Sequence, residues 1–303
     1  RGPASSNYGN AAGGVIAIET ETGDDPAFIQ TTLAGGNLGY KKFQLKTGGK
    51  NEIMDYLVNF SKQDLTGYRA HSISEGALFN GKFGFKLNEQ DRLNLSVNYT
   101  DQPKSQDPGG INLEQALADR KSARDRNVAY DSGESLSQHR VGIVYERDRS
   151  EGTLILRNYY VARDFSNKLP FKGGGSVNID RLFYGFGAQY EFGEVLPENY
   201  ALTLGFDVDR QDDDRKRYDN DSGVIGPITF DQREKVSSNG VFVQSRYDRD
   251  RWSISTGIRY DEVRFNILDR YLSNGDDSGE VDFDAFSPSF GINYQLNDGI
   301  IFV

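Results

Sequence analysis

The stretch Leu182-Phe183-Tyr184-Gly185-Phe186-Gly187-Ala188-Gln189-Tyr190-Glu191-Phe192 alternates in character from Tyr184 onward. Its even positions hold Leu, Tyr, Phe, Ala, Tyr and Phe, and its odd positions hold Phe, Gly, Gly, Gln and Glu. Successive side chains of a strand point to opposite faces, so this alternation is that of a β-strand with one apolar face; a helix repeats every three to four residues. The run is also long, since strands of soluble sheets are commonly about five to six residues.

From about Ala27 onward the pattern returns in segment after segment. Leu93, Leu95, Val97 and Tyr99 oppose Asn94, Ser96, Asn98 and Thr100. Tyr200, Leu202, Leu204, Phe206 and Val208 oppose Ala201, Thr203, Gly205, Asp207 and Asp209. Trp252, Ile254, Thr256, Ile258 and Tyr260 face away from Ser253, Ser255, Gly257, Arg259 and Asp261, and Phe286, Phe290, Ile292, Tyr294 and Leu296 repeat the arrangement. In a soluble β-sandwich, the alternative, the apolar face meets a second sheet and the strands are shorter. Long strands with one apolar and one small or charged face instead fit lipid on the outside and a wet lumen within.

The connections supply an independent test, because a bacterial barrel alternates short periplasmic turns with longer extracellular loops. Short links fall near Gly48–Asn51, Asn88–Asp91, Asp148–Glu151, Glu194–Asn199, Asp248–Arg251 and Asn297–Gly299. Longer ones are expected near Ser61–Ser72, Pro103–Leu136, Ser166–Val177, Asp212–Arg233 and Asp269–Asp282, with a helix at Leu113–Arg124 inside the second. Tyr145, Tyr190, Phe192, Tyr200, Tyr247, Trp252 and Tyr294 all lie beside short turns, where an interfacial aromatic girdle belongs. The expectation is an all-β chain: a transmembrane antiparallel β-barrel with about twelve to thirteen strands present and not closed at its last residue. Both ends read as cut, because Arg1 follows no leader and Val303 falls in mid-pattern.

Composition agrees and excludes other classes. The 303 residues are 36% hydrophobic and contain 34 Gly, 17 Tyr, 19 Phe and no Cys. Without cysteine there is no disulfide scaffold, thiolate metal site or thiol nucleophile. A formal charge of −10 with no basic stripe argues against nucleic acid as a partner. No apolar run is long enough for a transmembrane helix, which is equally the signature of a membrane barrel.

The first twenty residues, RGPASSNYGNAAGGVIAIET, stand outside the alternation. On physical grounds they are a glycine-rich segment leading into a short apolar strand. The string closely resembles the end of the plug domain of TonB-dependent outer-membrane receptors, in which Arg-Gly-Pro, Tyr-Gly, Gly-Gly-Val-Ile and a closing Thr occur in this order just before the barrel. The resemblance is tight over residues 1–20 and loose over the rest. It implies residues 1–25 as the end of a plug with its linker and residues 26–303 as the first part of a 22-stranded barrel in a bacterial outer membrane. It further implies import of ferric siderophores or similarly scarce solutes, energised by a TonB complex whose contact region lies elsewhere. It also implies a role for Arg1 as a lock pairing the plug with barrel glutamates; the alternative is an arginine that caps a turn in solvent.

Few residues carry chemistry of their own. His71 and His139 lack the spacing of a metal site and no nucleophile elbow accompanies them, so no catalytic residue and no cofactor is expected. Asp219-Asn220-Asp221-Ser222-Gly223 starts like a calcium loop, but position twelve of that loop is Phe230 rather than a bidentate Glu, which leaves Asp219 and Asp221 as weak metal candidates against a solvated loop. Alternation places Arg140, Arg181, Asp207 and Asp209 on the lumenal face, where arginines suit carboxylate-rich ferric complexes. Charges that merely solvate the wall are the other reading. Three function classes follow: a receptor for ferric siderophore, cobalamin, haem or glycan; a passive porin; and a barrel enzyme. The plug-like opening disfavours the second, and the absence of a Ser, His and Asp constellation disfavours the third.

Overall fold

A computed structural model describes residues 16, 20–24, 26–297 and 300–302. They form one antiparallel sheet of thirteen strands in strict sequence order. The strands are β1 (Phe28–Gly35), β2 (Lys41–Lys50), β3 (Met54–Leu65), β4 (Ser74–Lys86), β5 (Asp91–Gln106), β6 (Gly133–Arg149), β7 (Gly152–Lys168), β8 (Ser176–Phe192), β9 (Tyr200–Asp221), β10 (Val224–Arg249), β11 (Trp252–Asp269), β12 (Gly279–Asn297) and β13 (Ile300–Phe302). Two short helices, α1 (Leu113–Ala118) and α2 (Asp125–Ala129), lie between β5 and β6.

Cross-strand register turns the alternation into two surfaces. Tyr190, Leu204, Val243, Ile258 and Pro288 are direct partners across β8 to β12 and share the outer face. Leu204 is 40% and Ile258 50% exposed, as side chains meant for lipid should be. Four residues further along β9, the row Val208, Asn239, Glu262 and Asp284 marks where this face turns from apolar to polar. At the other end Tyr190 meets Phe192 edge-on at 5.0 Å and Trp252 lies against Tyr294 at 4.6 Å, so these members of the expected girdle do stand together. Among the described residues a core in the usual sense is nearly absent: the buried hydrophobic residues there are Val177 and Phe242, while buried polar ones include Asp213, Asn220 and Arg259.

One expected connection and one expected helix are corrected. Asp212–Arg233 is not a loop but the upper part of a continuous hairpin, β9 and β10, whose turn is Ser222-Gly223. Both residues have positive φ, 52° and 92°, which is the two-residue hairpin geometry that follows the twist of the strands. The acidic run stays in the sheet because its charges are answered across the ladder, Asp212 by Arg233 at 2.7 Å and Asp213 by Arg181 at 2.5 Å. Pro227, which lacks a ladder donor, falls in the register shift between Ile225 and Ile228. The helix expected over Leu113–Arg124 is α1 alone. Asn112 and Gln115 form its capping box, but Asp119 turns extended at the C-cap and takes the Lys121 amide on its carboxylate, which ends the helix.

Candidate functional site

The inner wall of β6 to β11 is built in rows, because residues facing each other across antiparallel strands share a face. One row runs Gln138, Arg163, Arg181, Asp213, Glu234 and the next Arg140, Val161, Phe183, Gln211. Below them come Gly142, Tyr159, Gly185, Asp209, and then Val144, Arg157, Gly187, Asp207, Gly240, Asp261. The alternation therefore placed Arg140, Arg181, Asp207 and Asp209 on one face, and the structure divides them between two adjoining hollows.

The upper hollow, of about 410 Å³, is lined by Gln138, Arg140, Tyr159, Arg163, Arg181 and Phe183 among others. Arg181 is committed to Asp213 through two parallel bonds of 2.8 and 2.5 Å, and Asp213 is only 1% exposed. Arg163 reaches Gln138 at 2.7 Å. Arg140 has no hydrogen-bond or ion-pair partner among the described residues, and Arg217, higher on the same face of β9, only stacks on Phe230 at 5.8 Å. Arg140, Arg163 and Arg217 thus present guanidiniums that no carboxylate of the described residues neutralises.

The lower hollow, of about 580 Å³, contains Asp207 and Asp209. Neither acid is free. Asp209 accepts the Tyr159 hydroxyl, and Asp207 bridges Arg157 at 3.2 Å and Arg259 at 2.9 Å. Arg259, 5% exposed, also holds Asp261 at 2.8 Å and stacks on Phe242. It reaches from β11 to β9 across Gly240 of β10, where a Cβ would strike its guanidinium. Gly187 plays the same part, since a methyl there would come within 2.6 Å of Asp207. Glycine on one strand lets long side chains of its neighbours lie flat along the wall.

Sequence reading missed Arg157, Tyr159, Arg163 and Arg259. Parity alone assigns all four to the inner face; that Arg157, Tyr159 and Arg259 reach acids of β9 is a matter of register between strands that are not neighbours in sequence, and Arg163 meets only Gln138. Asp219 and Asp221 sit at the tip of the β9–β10 hairpin: Asp219 accepts the Gly174 amide at 3.3 Å and Asp221 pairs with Lys172 at 2.9 Å. That carboxylate raises the Lys172 ammonium above its ordinary pKa. Among the described residues no three His, Cys, Asp or Glu side chains converge as a metal site. Arg1 lies outside the described residues.

Three solved structures share this fold. The ferric yersiniabactin uptake receptor FyuA from Yersinia pestis superposes with a TM-score of 0.77 at 13% identity, over 98% of this chain and 49% of its own. The ferric citrate transporter FecA gives 0.74 at 17% identity over 90% and 42%, and the copper transporter OprC 0.64 at 14% over 91% and 44%. This chain spans about half the length of each. Residues 78–302 match the family model for the TonB dependent receptor-like β-barrel, and the chain belongs to that family.

Proposed function

We propose that this chain forms the wall of a bacterial outer-membrane receptor that takes up a ferric siderophore, or a similarly scarce solute, with energy supplied through TonB. The observation that carries the reading is the upper hollow: an inner wall, on a chain of net charge −10, that turns toward the lumen arginines with no carboxylate partner among the described residues. A guanidinium offers planar, paired donors that match carboxylate or catecholate oxygens, so the ligand is an anionic chelate. The relatives named above carry ferric complexes or copper by their own descriptions, which supports a metal-bearing cargo. In this reading residues 1–25 close a plug, residues 26–303 begin the barrel, and Arg1 helps lock the two together. The protein is a receptor and not an enzyme.

Deleting the gene and growing the strain on a panel of single iron and copper sources tests this directly. Loss of growth on one chelate, restored by the wild-type gene and not by Arg140→Ala with Arg163→Ala, is the expected result. Unchanged growth on every source would point to the porin reading instead. Raised permeability to bulky antibiotics in an Arg1→Ala strain would support the lock, and wild-type permeability would remove it.

A further inference from the structure

The segment Asp219-Asn220-Asp221-Ser222-Gly223 has a part in the fold that its calcium-loop appearance does not suggest. Asn220 is 0% exposed. Its amide donates to the carbonyl of Tyr130, after α2, at 2.9 Å and to that of Leu169, after β7, at 3.0 Å. Its Oδ1 accepts the Gly223 amide at 2.7 Å, and its backbone N–H donates to Lys172 at 2.8 Å. One side chain thus ties three outer connections, β5–β6, β7–β8 and the β9–β10 tip. Ion pairs run in parallel, Lys168 with Asp131 at 2.8 Å and Lys172 with Asp221 at 2.9 Å.

The lacing continues along the rim. Arg69, between β3 and β4, donates to the carbonyls of Ser122 at 2.9 Å and Gly109 at 2.6 Å, and His71 contacts the Ser132 carbonyl at 2.7 Å. Leu38, between β1 and β2, accepts the Thr66 amide at 2.9 Å. The connection after β11 is different. Beyond Arg270, which is pinned to Asp214 at 2.6 Å, the hydrogen bonds of residues 271–278 to the described residues close on the segment itself or on Asp269. That carboxylate accepts the Tyr271 and Asp277 amides at 2.9 and 3.1 Å.

We propose that Asn220 is a positioning residue that fuses the outer connections from β1 to β10 into one fixed rim, leaving the β11–β12 connection, hung from Asp269, as the moving element of this wall. A buried carboxamide with both N–H groups and its oxygen satisfied is held in one arrangement, because losing those bonds inside a dry junction leaves several polar groups unpaired at once. A segment whose bonds close on itself and on the strand end that carries it opens without breaking ties to other connections. That the moving element closes over a solute rests on the uptake reading; the fixed rim does not.

The test is hydrogen exchange by mass spectrometry on the full-length receptor in outer-membrane vesicles, with no ligand present. Amides in 107–132, 169–175 and 218–224 should share one slow rate, and 270–278 should exchange at least about tenfold faster. Asn220→Asp, which keeps the shape and the acceptor but removes both donors, should speed the first three segments together and leave 270–278 unchanged. Unrelated rates among the three segments in the wild type, or acceleration confined to the hairpin tip, would overturn the proposal. The wild-type comparison decides even where the variant fails to assemble, and since transport is not measured, its outcome is separate from that of the uptake reading.

Discussion

Arg140 and Arg181 line the same hollow, yet their guanidiniums are in opposite electrostatic states. Arg181 answers a carboxylate that is almost wholly shielded from water, whereas Arg140 faces no acid of the described residues. Removing one member of a shielded pair leaves the other charge uncompensated, which destabilises far more than the pair itself ever stabilised. Arg181→Ala should therefore weaken the fold by roughly 2 to 3 kcal/mol, below the value for a fully buried pair because Arg181 still meets water. Arg140→Ala should stay within about 0.5 kcal/mol and, under the proposed uptake function, instead reduce affinity for an anionic chelate. Urea titrations of refolding into lipid vesicles measure the first difference, and chelate binding to the folded receptor measures the second. Equal urea midpoints for the two variants would show that pairing does not sort these arginines. Both residues were assigned to the inner face by parity alone. Their difference in state was not legible, because it is decided by Asp213, 32 positions from Arg181 in sequence.

At the scale of the strand, the period-two pattern predicts which residues tolerate charge. Ile258 and Ser255 are three positions apart on β11 and face opposite sides. Arginine at Ile258 should cost roughly 2 to 4 kcal/mol in lipid, while arginine at Ser255, facing the wet side, should cost little. The same vesicle titrations check this, and equal losses at the two positions would put the faces in doubt. Strand existence and face were legible because alternation is local, and so was the start of α1, where Asn112 and Gln115 make a capping box. Three features were not. The β9–β10 hairpin looked like a loop because its acidic run is answered by distant arginines, Asp212 by Arg233, Asp213 by Arg181 and Asp214 by Arg270; α1 ended early because Asp119 captured a backbone amide. The charge cluster about Asp207 depends on Arg259 reaching over Gly240, a path that crosses a whole strand. Local chemistry writes the strands, and register writes the site.

For the molecule as a whole, sequence-order pairing has one strong consequence. With every strand antiparallel to the last, successive connections must leave from opposite rims, so one topological assignment fixes them all. The helices, the Asn220 junction and the tall β9–β10 hairpin gather at one rim; the girdle aromatics and the short links at 150–151, 193–199 and 250–251 gather at the other. Bacterial barrels send long connections outward and short turns to the periplasm, so in the proposed receptor the first rim is expected at the cell surface. These 303 residues contain no cysteine, so single thiols report cleanly once any cysteine elsewhere in the full-length receptor is replaced by serine. In the full-length receptor, Lys121→Cys and Ser222→Cys should react with a membrane-impermeant maleimide on intact cells, whereas Glu151→Cys and Glu198→Cys should react only after the outer membrane is opened. All four positions are exposed, so a missing label reports the side of the membrane and not burial. Lys121 and Ser222 belong to connections separated by an even number of crossings, as do Glu151 and Glu198. If one member of either pair labels on intact cells while the other does not, the strand order or the number of crossings between them is wrong. If all four reverse together, the strand order stands and the orientation in the membrane is inverted.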